Sequence, residues 1–201
     1  MLKKILKNAF LISFFSIVSI STIIFINKIT KTQIVLQNEK EKKLLLEQVL
    51  SLKILNEFNI KLYQIKNKSL GNLENHNLWL LFNQKNEPKG AVIETTAPDG
   101  YSGSINMLVA AYFNGTIIGV RVLSHRETPG IGDKIELSIS NWITKFSGMH
   151  ISSINDKNCT LKKYGGDIEQ FTGATITPQA VTNSVKRTVI FIKNIPSILK
   201  F

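Results

Sequence analysis

The chain has 201 residues, 43% of them apolar, and a net charge of +11, which is room for one compact domain with an appendage and too little for two ordinary domains. The charge does not make it a nucleic-acid binder: only Arg121, Arg126 and Arg187 are arginines, and the scattered lysines lack the interleaved aromatics that read bases. A single cysteine, Cys159, excludes an intrachain disulfide or a Cys-rich cluster site, and His76, His125 and His150 stand too far apart for metal-ligand spacing, so no metal is expected and any redox group has to be organic.

In chain order, residues 9 to 26 ("AFLISFFSIVSISTIIFI") carry no charge, and at about 1.5 Å per residue they reach roughly 27 Å, near the thickness of a bilayer's hydrocarbon core. Lys3, Lys4 and Lys7 precede this run, which by the positive-inside tendency keeps the N-terminus cytoplasmic and sends the rest outward. A cleaved signal peptide shares the basic start, but Ser19 and Ser21 form a weak cleavage pattern and the apolar run continues past them. The reading is an uncleaved anchor, with residues 1–8 cytoplasmic, 9–27 in the membrane, 28–70 a helical juxtamembrane segment and 71–201 the folded domain. Within residues 33 to 57, Leu36, Leu44, Leu45, Val49, Leu52 and Leu55 recur at helical spacing and predict one apolar face.

Residues 67 to 77 read as a polar loop, followed by strands over 78–84 and 90–97 around a turn from Asn86 to Lys89. Strands over 104–113 and 116–124 flank Asn114-Gly115, a pair suited to a type I′ hairpin turn. A helix is expected from Lys134 to Phe146, and a closing helix from Pro178 to Ile195 with Thr177 as its N-cap and Val181, Val185, Val189 and Ile192 as its buried stripe. The class is α+β: one antiparallel sheet with packed helices, preceded by one N-terminal transmembrane helix.

The stretch "EQFTGATITPQAV", residues 169 to 181, places Thr172, Gly173, Ala174 and Thr175 just ahead of that closing helix. Free N–H groups and the positive end of the helix dipole favour a phosphate there. Two further glycine-bearing loops, "APDGYSGSI" (97–105) and "SHRETPGIGDKIE" (124–136), border the same hairpin and mark a ligand mouth.

"DGYSGSINMLV" (99–109), "ETPGIGDK" (127–134) and "FTGATITPQAV" (171–181), together with the anchor, closely resemble the G subunit of the Rnf/Rsx electron-transport complex; the C subunit of the sodium-pumping NADH:quinone oxidoreductase has the same kind of FMN-binding domain. The resemblance implies FMN joined covalently through its phosphate to Thr175 by a flavin transferase that uses FAD. It implies an acidic recognition residue six positions earlier, where this chain has Glu169 in place of the usual Asp, with Asp167 two residues before it. It also implies a bacterial inner-membrane location, a periplasmic domain, and partner subunits that pass electrons between ferredoxin and NAD or toward a redox sensor. Thr172, Gly173, Ala174, Glu127, Thr128, Gly130 and Tyr101 are the candidate flavin-binding residues, with Ser102 beside them. His125 and Phe171 are left between flavin contact and structural roles, and Trp142 is read as core. A membrane-tethered flavin-free scaffold, a free-standing exported flavin reductase and the C subunit of the sodium-pumping NADH:quinone oxidoreductase remain alternatives to the electron relay of an Rnf/Rsx G subunit.

Overall fold

The computed structural model describes residues 2–199, apart from the side chains of Leu2, Thr32, Leu52, Lys53 and Leu199. It divides into two compact units, residues 1–43 and 44–201. The first is helical, part of a helix α1 that runs Leu2–Glu57 with a break at Ser51. Its Lys3–Lys31 stretch is long and apolar enough to cross a membrane, wider than residues 9–27 because the helix continues through the flanking lysines.

In the second unit five strands among the described residues form an antiparallel meander: β1 (Asn59–Ile65), β2 (His76–Phe82), β3 (Pro88–Ala97), β4 (Ile105–Tyr112) and β5 (Ile117–Ser124), in that spatial order. Strand alternation sorts their side chains onto two buried faces. Leu78, Leu80, Ile93, Met107, Val109 and Val120 face helix α2 (Ile176–Leu199). Leu81, Val92, Leu108 and Ala110 face Val49 and Leu50 at the end of α1. Gly119 lets the chain press close, since a Cβ there would stand 2.9 Å from the Val49 carbonyl oxygen.

Several expectations need correction. The segment 28–70 is not helical throughout: Asn59–Ile65 is β1, paired along its length with β2, and the second unit starts at Leu44, not at residue 71. Leu45, Val49 and Leu55 do pack on the sheet, but Leu36 and Leu44 are exposed, and Leu52 lies outside the described side chains. His76, expected in a loop, opens β2 and is buried. The loop before it contains a 3₁₀ turn, Lys68–Leu70, that inserts Leu70 into the core.

At Asn114-Gly115 only Gly115 has positive φ (96°), whereas a type I′ turn needs two such residues. Asn114 Oδ1 instead accepts from the Thr116 N–H (2.9 Å) while Gly115 N–H donates to Tyr112 O, which produces the three-residue hairpin with a left-handed glycine. The expected helix over 134–146 is two 3₁₀ turns, Asp133–Ile135 and Asn141–Phe146. Ser140 divides them: its hydroxyl donates to Lys134 O and accepts from Trp142 N–H, side-chain bonds that compete with a continuous helix.

Helix α2 carries the expected stripe, with Val181, Val185, Val189 and Ile192 fully buried. It begins earlier than expected, because the Thr175 carbonyl already accepts from Gln179 N–H (3.1 Å). Thr175, not Thr177, therefore stands at the cap position. Contacts from Thr188 to Thr95 and from Arg187 to Thr96 O, both on β3, lay α2 along the sheet.

Candidate functional site

The antiparallel register brings three chain segments to one end of the sheet. Ala97 pairs with Ile105 and Asn106 with Ser124, so the loop 98–104 and the loop that leaves β5 emerge side by side. The start of α2 closes the third side through Thr177, whose hydroxyl donates to Glu127 Oε2. Between them lies a cavity of about 230 Å³ lined by Tyr101, Glu127, Thr128, Ile131, Gly132 and residues 173–177.

Glu127 joins the three walls. Its side chain is 4% exposed; Oε1 accepts from Ser102 N–H at 3.0 Å and Oε2 from Thr177. Among the described residues its carboxyl group bonds the two neighbouring walls and not its own loop. His125 supports it from behind: Nδ1 accepts the Glu127 N–H (2.9 Å), so the ring proton sits on Nε2 and donates to Glu136 (2.6 Å). Gly132 is required for this contact, because a Cβ would lie 2.9 Å from Glu127 Oε2. Gly130 has a different task, a positive φ of 78° that lets its N–H reach Asp133 Oδ2 at 2.8 Å. Thr128 is exposed, and its carbonyl accepts from Ile131 and Gly132 to close the turn.

The three threonines differ in surroundings. Thr172 is exposed on a turn closed by Ala174 N–H to Phe171 O (3.1 Å), with Gly173 at φ 80° as its left-handed third residue; it does not line the cavity. Thr177 is fully buried and its hydroxyl is spent on Glu127. Thr175 is half-buried, lines the cavity and stands directly before α2; Ala174 lies beside it in the wall. The first-turn N–H groups of Ile176 and Thr177 have no carbonyl one turn back to bond.

Phe171 belongs to the core. It is 8% exposed and meets Trp142 edge-to-face at 5.1 Å, and Trp142 meets Phe146 the same way at 5.3 Å. Trp142 Nε1 donates to Glu169 O at 2.6 Å, which fixes the strand-like approach to the turn. The Glu169 side chain points to solvent between Lys145 and Lys162. Their ammonium groups, Lys145 first, hold its carboxyl far down, at about 2. Asp167 is exposed, with its N–H on Asn158 O. Tyr101, 70% exposed, stands at the cavity mouth with Ile131 and Ile176. Those two isoleucines were not anticipated: an exposed apolar side chain in a loop belongs to no periodic pattern, and only its position beside the threonine reveals it.

Residues 100–190 match the FMN-binding domain family, and residues 1–49 match the RnfG N-terminal region. The G subunit of the ion-translocating oxidoreductase complex of Buchnera aphidicola subsp. Schizaphis graminum is 60% identical over 98% of this chain and 96% of its own. The protein of that name from Escherichia coli K12 is 46% identical over 98% of this chain and 95% of its own. The chain belongs to the RnfG family, the G subunits of ion-translocating oxidoreductase complexes. Among solved structures, Shewanella oneidensis NqrC is similar at a TM-score of 0.46 and 21% identity, covering 62% of this chain and 61% of that one. In this RnfG-family chain the FMN-binding match spans all three walls of the cavity, from Gly100 through the start of α2.

The cavity's residues suit that cofactor. A phosphate placed at Thr175 meets a helix N-terminus, where an anion is stabilised. Gly173 has no atom within 4 Å of where a Cβ would stand, so the approach is open. Tyr101, Ile131 and Ile176 supply apolar surface for a flat ring.

Proposed function

We propose that this protein is an electron-carrying flavoprotein whose FMN is bound covalently, through its phosphate, to Thr175 Oγ1. One observation carries the reading: of the three threonines around the turn, Thr175 alone combines a place in the cavity wall, partial exposure and a hydroxyl without a hydrogen-bond partner among the described residues. The bond forms when Thr175 Oγ1 attacks the FMN-side phosphorus of FAD on a flavin transferase. The pyrophosphate P–O bond breaks, AMP leaves with the bridging oxygen, and the hydroxyl proton passes to a base on the transferase. Glu169, and Asp167 beside it, are the acidic residues placed for recognition by that enzyme.

A bound flavin supplies one- and two-electron transfer, and this chain's residues bind and orient it. The cavity is smaller than the roughly 300–1,000 Å³ of sites that enclose a drug-sized ligand, so part of the flavin stays outside, open to a redox partner. Alone, the protein turns over nothing; the other subunits of the complex deliver and remove electrons, linking ferredoxin and NAD or a redox sensor. The N-terminal helix anchors it once in the inner membrane, with Lys3, Lys4 and Lys7 on the cytoplasmic side and the FMN domain in the periplasm.

The test is intact mass with peptide mapping after co-expression with a flavin transferase, beside a Thr175→Ala chain. The expected result is a gain of about 438 Da, the mass of FMN less water, located on Thr175 and absent from the variant. An unmodified chain, with the transferase active on another substrate, overturns the covalent reading in favour of non-covalent flavin binding or a flavin-free scaffold. Flavin on Thr172 overturns the site assignment alone.

A further inference from the structure

Glu127 is the acidic side chain in the cavity wall, and its surroundings hold the carboxyl group in place through neutral donors. Both oxygens accept hydrogen bonds, one from the Ser102 N–H and one from the Thr177 hydroxyl. Both donors are neutral. Among the described residues no lysine, arginine or histidine pairs with the carboxylate. The nearest candidate, His125, takes the Glu127 backbone N–H on Nδ1 and directs its own ring proton to Glu136.

The packing around the carboxylate is equally specific. A Cβ on Gly132 would lie 2.9 Å from Oε2, and one on Gly100, already 2.3 Å from Gly103 O, would lie 2.9 Å from Oε1, so glycines from two loops crowd close around the carboxyl group. Joining an N–H to a hydroxyl does not need a charge, since a glutamine of the same shape spans the same gap. Burying an uncompensated carboxylate is the more costly choice. Glu169 illustrates the contrast: it lies in solvent between two ammonium groups, where its charge is cancelled and screened.

We infer that Glu127 is the fixed negative charge that holds the reduction potential of the flavin in this cavity low, an inference that rests on the flavin reading above. Reduction adds electrons to a cofactor tethered at Thr175, and Glu127 and Thr175 line the same cavity. A nearby anion raises the energy of the more negative, reduced state more than that of the oxidised state. Glu127 thereby acts as a positioning residue through Ser102 and Thr177, and as a tuning residue through its charge.

The experiment compares the full chain, flavinylated in cells, with Glu127→Gln and Glu127→Asp, using intact mass for loading, thermal melts for folding and spectroelectrochemical titration for the potential. The expected result is a higher potential in Glu127→Gln and one near wild type in Glu127→Asp, which keeps the charge. A potential unmoved by Glu127→Gln, with flavin mapped to Thr175, overturns this inference and leaves the flavin reading standing. A rise of equal size in Glu127→Asp also overturns it, because the effect is then one of shape. A wild-type chain without flavin overturns both. For the case in which Glu127→Gln fails to fold or load, the wild type is read directly by an oxidised-minus-reduced infrared difference spectrum with carboxyl-labelled glutamate. A label-sensitive carboxylate band present in the wild type and missing from Glu127→Asp supports the inference, and the lack of such a band overturns it.

Discussion

Thr172, Thr175 and Thr177 share one functional group, and their surroundings decide what each does. Because Thr177 supplies one of the two donors to a buried carboxylate among the described residues, Thr177→Val should lower unfolding free energy by about 1.5–3 kcal/mol, the range for a hydrogen bond to a charged group; Thr177→Ser should restore most of it in a urea titration. Thr175→Val, which removes a hydroxyl without a partner among the described residues, should stay within about 1 kcal/mol. Glu169 makes a pH-dependent case. Its carboxyl is lowered from 4.5 to about 2 by Lys145 and then Lys162. A depressed folded value means the ion pairs contribute above the unfolded value near 4.5 and are lost as pH falls through about 2. The group is solvent-exposed, so the contribution to stability is screened and small. A carbon-detected NMR titration should place the Glu169 midpoint near 2, and the double substitution Lys145→Ala, Lys162→Ala should return it toward the ordinary carboxylate range.

Elements differ in how openly the sequence announces them. Helix α2 was legible because Val181, Val185, Val189 and Ile192 repeat at helical spacing and all are buried. Truncating one of them, Ile192→Ala, should cost about 2–5 kcal/mol in a thermal or urea melt. The expected helix over 134–146 failed because the decisive bonds are made by one side chain, Ser140, which donates to Lys134 O and accepts from Trp142 N–H. Ser140→Ala should therefore cost about 0.5–2 kcal/mol, as loss of a cap does. Strand β1 was missed for another reason: it is an edge strand, mostly exposed, so the burial that makes alternation visible is weak. The site shows the same division. The local motif pointed to Thr175 and its neighbours, but the clamp on Glu127 comes from residues 25 and 50 positions away, a pairing no local pattern encodes.

At the scale of the whole molecule, the sheet needs cover on both faces, and this decides where the folded unit starts. Helix α2 covers one face. The other face, with Leu81, Val92, Leu108 and Ala110, is covered by Val49 and Leu50 and by partly buried Leu45, Leu46, Ile54 and Leu55. All of these covering residues precede β1, and all lie within the unit that begins at Leu44. A chain cut to residues 71–201 loses them together with the β1 edge, and leaves a hydrophobic sheet face in water. Burying a valine or leucine side chain contributes roughly 1.5–3 kcal/mol. Uncovering three such residues therefore costs on the order of 5 kcal/mol, as large as the net stability of many domains. A chain of residues 44–201 keeps both layers and discards only the N-terminal apolar helical unit. It should stay soluble and unfold in one cooperative transition, whereas residues 71–201 should aggregate or bind a hydrophobic dye without a cooperative melt. Circular-dichroism melts and size-exclusion chromatography of the two chains make the comparison, and equal behaviour would show that the α1 end and β1 are accessories to the sheet and not part of its fold.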